Sequence, residues 1–194
     1  MTDQILDARS FWELLDRRVA ATPDRVLLID DAGRSLTCAE FRDTVERVAA
    51  GFHGLGIGGG TAVTWELPTR IETVVASFAL SRLGAVQNPI IHIYRHREVG
   101  FCIRQTGAEF VLHPGEWGGF DYGAMVAEVT AELDAPPTVL SGYADLPEGD
   151  PAVLPPVPAP PPAGEAPVRW LYYTSGTTSD PKGVKHTDET LIAA

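Results

Sequence analysis

The chain has 194 residues, of which 44% are hydrophobic and 21% are charged, and its formal net charge is −11. That length is enough for one domain with its own core, or for one domain and part of another, and the composition excludes general disorder. The negative charge excludes functions that need a broad basic face, such as binding along a nucleic acid. Any anion site must therefore be local.

The distribution of lysines, the number of cysteines and the N-terminal residues bear on the anion site and on the cellular compartment. Of the 15 basic residues 13 are arginine, and the two lysines are Lys182 and Lys185. Cys38 and Cys102 are too few for a disulfide framework, which favours a reducing compartment, and we interpret both as small apolar residues. The N-terminus has acids where a signal peptide would have basic residues, and no apolar run reaches the roughly 18 residues of a membrane span. The sequence therefore predicts a cytoplasmic protein without a membrane span.

Helical and extended patterns alternate along the first two thirds of the chain. Ser10 is a candidate N-cap for a helix that runs to about Ala21, and RVLLID followed by DDAGRS predicts a strand and a hairpin turn. Four more helices are predicted by apolar residues at helical spacing. These positions are Val45, Val48, Ala49 and Phe52; Ile71, Val74, Val75 and Phe78; Val99, Cys102, Ile103 and Thr106; and Tyr122, Met125, Val126, Val129 and Leu133.

Each of these four helical patterns is followed by a short apolar stretch that predicts a strand. In chain order the stretches are TAVTWEL, AVQNPII, EFVLH and PTVL. Helices that alternate regularly with short apolar strands are typical of parallel sheets. The sequence therefore predicts an α/β fold, with a mainly parallel sheet flanked by helices on both faces.

The composition divides the chain into three parts. Residues 1–146 are predicted to form an N-terminal α/β subdomain, 147–167 a proline-rich linker, and 168–194 a strand, a loop and the start of a helix. The linker sequence PEGDPAVLPPVPAPPPAGEAP cannot be helical and offers few amide donors to a sheet. We interpret it as a semi-rigid extended spacer, with a ligand for a proline-binding domain as the alternative.

Two apparent motifs have a simpler structural explanation. Gly54, Gly56 and Gly59 match GxGxxG, but a dinucleotide fingerprint leaves a strand and opens a helix, whereas here a helix ends in the glycines. His92 and His96 are four residues apart, as metal ligands on one helix face would be, but the β-branched residues around them predict extended backbone. We therefore predict neither a dinucleotide site nor a metal site.

The stretch LYYTSGTTSDPKG, residues 171–183, is the strongest candidate for a binding site. Its hydroxyls and backbone amides can surround an anion, Gly176 permits close backbone approach, and Lys182 supplies positive charge. Gly183 is expected to let the chain turn away after the loop. It is not a Walker A loop, because Pro181 stands where the second glycine would be. These residues predict a polyphosphate site, and an exposed Ser/Thr/Gly turn is the alternative. The candidate binding residues are Thr174, Ser175, Gly176, Thr177, Thr178, Ser179, Lys182 and Gly183.

This loop resembles the phosphate-loop signature of the adenylate-forming superfamily, which includes acyl-CoA synthetases, adenylation domains of peptide synthetases and luciferases. The preceding region, from GGGTAVTWELP to GAEFVL, also resembles the N-terminal part of that fold. The segments WELPT and NPIIHIYR are more similar to fatty or alicyclic acyl-CoA ligases. Two positions depart from the family, since Ser179 stands where glycine is usual and Asp188 follows Thr187 where histidine is frequent. An acid at 188 suits the first turn of a helix that begins with TDETLIAA.

The resemblance implies a two-step reaction. A carboxylic acid attacks the α-phosphate of Mg-ATP to give an acyl-adenylate and pyrophosphate, and the thiol of CoA then accepts the acyl group. The candidate loop residues would hold the β and γ phosphates by electrostatic contacts. ATP, Mg²⁺ and CoA would be the cofactors. The family's later motifs are missing from the sequence, so the catalytic residues are expected beyond Ala194 and the chain is expected to be an N-terminal fragment, inactive alone.

Two functions of other classes remain open. The chain could be a stand-alone nucleotide-binding or regulatory module, for which tight ATP binding that depends on Lys182 would be the sign. It could also be an interaction protein that presents the proline-rich segment 147–167, and loss of partner capture on deletion of that segment would be the sign.

Overall fold

The computed structural model describes residues 5–143, 145–162, 164–174 and 181–194. Within them the helices are α1 (Phe11–Ala21), α2 (Cys38–Gly54), α3 (Ile71–Leu83), α4 (His96–Thr106), α5 (Tyr122–Ala131) and α6 (Asp188–Ile192). The strands are β1 (Val26–Ile29), β2 (Ser35–Thr37), β3 (Ala62–Trp65), β4 (Val86–Pro89), β5 (Phe110–His113), β6 (Glu116–Trp117), β7 (Phe120–Asp121), β8 (Thr138–Ser141), β9 (Trp170–Thr174) and β10 (Lys182–His186).

The central sheet has the strand order β10-β9-β4-β3-β5-β8. Strands β9, β4, β3, β5 and β8 are parallel, and β10 alone pairs antiparallel, with β9. Two small hairpins, β1–β2 and β6–β7, lie outside this sheet. The predicted α/β fold with a mainly parallel sheet is confirmed.

Local sequence signals set the helix ends. The Ser10 hydroxyl accepts a hydrogen bond from the Glu13 backbone N–H at 3.1 Å and so caps α1, as predicted. Thr37 and Glu40 form a capping box at the start of α2. Helix α3 ends at Gly84, whose φ of 70° is in the left-handed region that glycine adopts easily.

Helices cover both faces of the sheet, and the inner strand β5 alternates its side chains between two apolar cores. On β5, Phe110 and Leu112 join the core formed with α1, α2 and α3, whereas Val111 joins the core formed with α4 and α5. Alternate residues of a strand point to opposite faces. The sheet is thus buried on both sides at β5.

The proline-rich segment lies along the first of these faces. Leu146 and Leu154 pack against the core next to α2 and α3, and Arg82 Nη2 of α3 donates to the Pro155 carbonyl at 2.8 Å. The segment carries the chain from β8, at one end of the sheet, to β9 near the other end. The division into subdomain, linker and C-terminal part stays a prediction.

The region after the candidate loop differs from the sequence prediction. Gly183 was expected to let the chain turn away, but it lies inside β10, opposite Tyr173 of β9. The antiparallel ladder with β9 satisfies the backbone of KGVKH, a stretch whose lysines and glycine have low strand propensity. Strand β10 was therefore not predicted, although α6, expected from TDETLIAA, is present.

Across the described ranges, none of the helices is both long enough and apolar enough to cross a bilayer. The cytoplasmic location inferred from the cysteines stays a prediction.

Candidate functional site

The carboxyl ends of the five parallel strands lie along one edge of the sheet. The chain leaves β3 into α3 on one face and leaves the neighbouring β4 into α4 on the other face. Such divergent connections open a crevice at the carboxyl ends of the two strands, and ligands of open α/β sheets bind in this place. The candidate site therefore includes the residues that follow β3 and β4.

The predicted phosphate loop starts beside this crevice, because β9 pairs with β4. Thr174 ends β9, Lys182 begins β10, and the two residues lie directly opposite each other in the ladder. Opposed residues of neighbouring strands project their side chains on the same face. The Thr174 hydroxyl and the Lys182 ammonium group therefore flank the mouth of the loop, and both residues are exposed.

Five of the predicted loop residues lie outside the described residues, so the structure places only the two ends of the loop. These five are Ser175, Gly176, Thr177, Thr178 and Ser179. Their part in phosphate binding stays a prediction, as does that of Thr174 and Lys182.

Gly183 has a spatial role in the structure. A β-carbon at Gly183 would lie 3.4 Å from Gln105 Oε1 and 3.5 Å from the Tyr173 ring. These two side chains are joined there by a 2.7 Å hydrogen bond, which the Tyr173 hydroxyl donates. Glycine at this position leaves room for the contact between β9 and α4, and its part in binding a ligand stays a prediction.

An apolar cavity of about 430 Å³ adjoins the base of the loop. Its walls come from the end of β4, from the segment after it and from β9: Pro89, Ile90, Ile91, Ile93, Tyr94, Tyr172 and Tyr173. Ile91 and Ile93 are 50% and 64% exposed. The cavity could take the apolar part of a ligand whose anionic part lies at the loop.

Glu66 is a buried acid at the same edge, one residue after β3, and is 1% exposed. It shares the α4 side of the sheet with Thr64, whose hydroxyl lies 3.4 Å from the Thr106 hydroxyl. Neither carboxyl oxygen has a hydrogen-bond partner among the described residues. Burial raises the pKa of Glu66 to about 8, against the attraction of Arg95.

Glu66 was not predicted as a site residue, because it lies in the stretch TAVTWEL, which was interpreted as a strand. An acid directly after an apolar parallel strand was the available signal, since such a position lies at the ligand edge. With its raised pKa, the carboxyl group holds a proton at neutral pH and can donate a hydrogen bond.

Cys102 of α4 lies near Glu66 and Tyr173. Burial raises the pKa of the Cys102 thiol to about 12, and the nearby Glu66 charge adds to the rise. Burial likewise raises the pKa of Tyr173 to about 12. A thiol held in the neutral form is a poor nucleophile, so Cys102 acts as a small packing residue, in line with the sequence interpretation.

The two histidines considered as metal ligands have separate partners. His96 Nε2 lies 2.9 Å from Glu128 Oε2, whereas the His92 ring packs edge-on against Trp117 with ring centres 4.8 Å apart. Among the residues that the structure describes, no group of three or more His, Cys, Asp or Glu side chains is placed to hold a metal.

The GxGxxG match lies between a helix and a strand, in the order that the sequence predicted. Helix α2 ends at Gly54, and the chain then enters β3. Gly56 and Gly60, with φ of 97° and 85°, make the turns between them. The glycines thus connect a helix to a strand, whereas a dinucleotide fingerprint connects a strand to a helix.

Comparison with known proteins gives relatives along most of the chain. Residues 15–194 match the family described as AMP-binding enzyme. The salicyl-AMP ligase / salicyl-S-ArCP synthetase of Mycobacterium tuberculosis is 30% identical over 186 residues, which are 88% of this chain and 32% of that protein. The 4-coumarate-CoA ligase 1 of Narcissus pseudonarcissus is 31% identical over 176 residues, 88% of this chain and 31% of the relative.

Solved structures share the fold. A Mycobacterium tuberculosis fatty acyl CoA synthetase superposes with a TM-score of 0.74 at 25% identity, covering 94% of this chain and 35% of that one. The N-terminal domain of FACL13 from the same organism gives 0.74 at 26% identity, covering 94% and 45%.

This chain spans about a third of the length of the curated relatives it matches. These relatives are ligases that act on acids, as the resemblance to adenylate-forming enzymes implied. From its family match, its fold and its relatives, the chain belongs to the family of AMP-binding enzymes.

Proposed function

We propose that this chain is the N-terminal part of an acyl-CoA synthetase, which activates a carboxylic acid with ATP to an acyl-adenylate and transfers the acyl group to CoA. The observation that carries the proposal is the strand–loop–strand unit of β9 and β10, with the sequence LYYTSGTTSDPKG, at the ligand edge of the sheet. Membership of the AMP-binding family and the names of the relatives support it.

The chain's own residues would bind and orient the phosphates of ATP. Lys182 and Thr174, on the two sides of the loop mouth, would contact the β and γ phosphates together with residues 175–179. Donors and positive charge fixed before the reaction stabilise the negative charge that grows on departing pyrophosphate. Mg²⁺ binds proteins through few carboxylates and mainly through phosphate and water, so it would arrive with ATP and neutralise part of that charge.

Lys182→Ala tests the phosphate role, and Lys185→Ala is a matched control. Both lysines are exposed residues of β10, three positions apart, and therefore lie on opposite faces of the strand. We expect Lys182→Ala to weaken the binding of Mg-ATP roughly tenfold or more, because it removes a charge-assisted contact, and Lys185→Ala to change it little. Phosphorus NMR titration of the 194-residue chain measures this even at millimolar affinity. Equal effects of the two variants would contradict a specific phosphate contact.

Carboxylate-dependent exchange between ATP and pyrophosphate tests the activity. Across acetate, medium-chain, long-chain and alicyclic acids we expect no exchange from the chain alone, because the catalytic residues would lie in the part of the relatives that it does not span. Exchange with any acid would show that the chain adenylates unaided. Submicromolar ATP affinity, lost in Lys182→Ala, would instead support a nucleotide-binding regulatory module.

A further inference from the structure

Asp188 is a buried acid that connects three elements beneath the candidate loop. It is the first residue of α6 and is 8% exposed. Its Oδ1 accepts a 2.7 Å hydrogen bond from the Trp170 indole N–H, and its Oδ2 accepts a 3.0 Å hydrogen bond from the Phe11 backbone N–H. A buried carboxylate is tolerated when its oxygens are satisfied in this way. Asp188 therefore links the starts of α6, β9 and α1.

The carboxylate of Asp188 is not needed to cap its own helix. Thr187 is the N-cap of α6 and forms a capping box with Thr190. Its hydroxyl accepts from the Thr190 N–H at 3.2 Å. Asp188 lies in the first turn of a helix, as the sequence predicted, but its side chain bonds to other elements.

Trp170 lies at the point where the loop stem joins the rest of the sheet. We define the stem as β9 and β10, which flank the loop. In the β4–β9 ladder, Trp170 is registered with Gln87, and the next residue, Leu171, receives a 2.8 Å hydrogen bond from Asn88 Nδ2. These links all lie at the base of the stem. Toward the loop, the Tyr173 contact with Gln105 is a further link, to α4.

Aromatic packing ties the base of the stem to α1. The Phe11 ring contacts the Trp170 ring edge-on at 5.3 Å, and Trp170 stacks with Tyr172 at 6.2 Å. Tyr172 in turn meets His186 of β10 at 5.7 Å. The two groups that donate to Asp188, the Trp170 indole N–H and the Phe11 backbone N–H, belong to residues of this aromatic cluster. The Asp188 carboxylate therefore helps to fix the position of the cluster.

We propose that Asp188 is a positioning residue for the phosphate loop: acting through Trp170, it holds the stem against α1 and so keeps Thr174 and Lys182 in place at the loop mouth. This inference rests on the proposed function. Trp170 is four residues before Thr174, or roughly 13 Å along an extended strand. Because β9 and β10 are paired along their length, a displacement at Trp170 would also displace Thr174 and Lys182.

Trp170→Phe and Asp188→Asn break the link with little change of shape. Phenylalanine has no indole N–H. An asparagine at 188 keeps one acceptor oxygen but presents an NH₂ group to the second donor, so either orientation loses one bond. The matched control is Trp12→Phe. Trp12 lies on α1, next to Phe11, and its buried indole nitrogen has no hydrogen-bond partner among the described residues.

The affinity for Mg-ATP is measured by phosphorus NMR at a temperature where circular dichroism shows every variant folded. We expect Asp188→Asn and Trp170→Phe each to weaken binding roughly tenfold, as the loss of a hydrogen bond to a charged group would. The double variant should bind no more weakly than Asp188→Asn, and Trp12→Phe should bind as the unmodified chain does. General loss of stability would not give this pattern, because all variants are folded during the measurement.

Lys182→Ala separates the two proposals. Weaker binding in Lys182→Ala with unchanged binding in Asp188→Asn and Trp170→Phe would overturn the positioning role and leave the proposed function intact. If the unmodified chain binds no Mg-ATP, its phosphate-binding role as an isolated chain fails, and amide hydrogen exchange tests the positioning role of Asp188 by itself. Asp188→Asn should then speed exchange at Tyr172 and Val184 relative to α5, and unchanged exchange would overturn the inference.

Discussion

Two acids, Glu66 and Asp188, are buried in the described part of the chain, and their surroundings differ. Asp188 receives two hydrogen bonds, whereas Glu66 receives none from the described residues. A buried carboxylate without partners is costly, so the group keeps its proton instead. Glu66 therefore makes the stability of the fold depend on pH.

Glu66→Gln should remove this dependence. Because the pKa of Glu66 is about 8 in the folded state against 4.5 ordinarily, folding favours the protonated form. Its contribution to stability is complete below pH 4.5, falls as the pH rises from 4.5 to about 8, and is then constant. We expect Glu66→Gln to raise the free energy of unfolding at pH 8.5, by at most about 5 kcal/mol, with a smaller change at pH 4.5.

Urea unfolding at a series of pH values measures this effect of Glu66. Glu132→Gln, at the exposed end of α5, controls for the loss of a carboxylate as such. An unchanged pH slope in Glu66→Gln would show that the carboxyl group is ionised and has a partner in the folded protein.

Among the elements, the crossover between β8 and β9 is closely packed at one point of α2. A β-carbon on Gly51 would collide with the Pro147 carbonyl group. The segment that the sequence presents as a spacer is therefore seated on the helix where a glycine allows close approach. Leu146 and Leu154, on either side, pack against the same core.

Gly51→Ala tests whether the segment at Pro147 packs against α2 in solution. We expect it to lower the free energy of unfolding by about 1–3 kcal/mol, the usual cost of overpacking against backbone. Gly54→Ala is the matched control, because a β-carbon there meets nothing within 4 Å and alanine favours a helix. Denaturant unfolding of both variants measures the difference, and equal stabilities would indicate a segment detached from α2.

At the scale of the whole molecule, several exposed apolar side chains lie near the ligand edge. Ile91, Ile93, Tyr172 and Val184, which we call the edge patch, are 50%, 64%, 37% and 38% exposed. Strand β10 forms the end of the sheet beside it. Its two lysines disfavour pairing with another strand, so the edge patch is the surface expected to bind other molecules.

Self-association through the edge patch is the expected consequence. Ile93→Lys should weaken association, because it places a charge in the most exposed position of the patch, and Val157→Lys, 42% exposed in the crossover, should not. Sedimentation velocity over a range of concentrations measures both. A chain that stays monomeric throughout that range, with or without the substitutions, would contradict the prediction.

The sequence alone determined the succession of helices and strands, the parallel sheet and the position of the candidate loop, because these follow from local periodicity, caps and a contiguous motif. The hydroxyls and Lys182 are close together in the chain, so a shared role could be predicted without coordinates. The small β6–β7 hairpin was missed, although Gly118 and Gly119, both with positive φ, occupy its turn.

Only the tertiary structure decided the surroundings of residues that act across long sequence distances. The partners of Asp188 are Phe11 and Trp170, one of them 177 positions away, and no periodicity encodes such a contact. The burial of Glu66 depends on α4 lying over the end of β3, and the strand KGVKH depends on its pairing with β9. Local pattern thus determined the elements, whereas burial and hydrogen bonding between distant segments determined the chemistry of individual side chains.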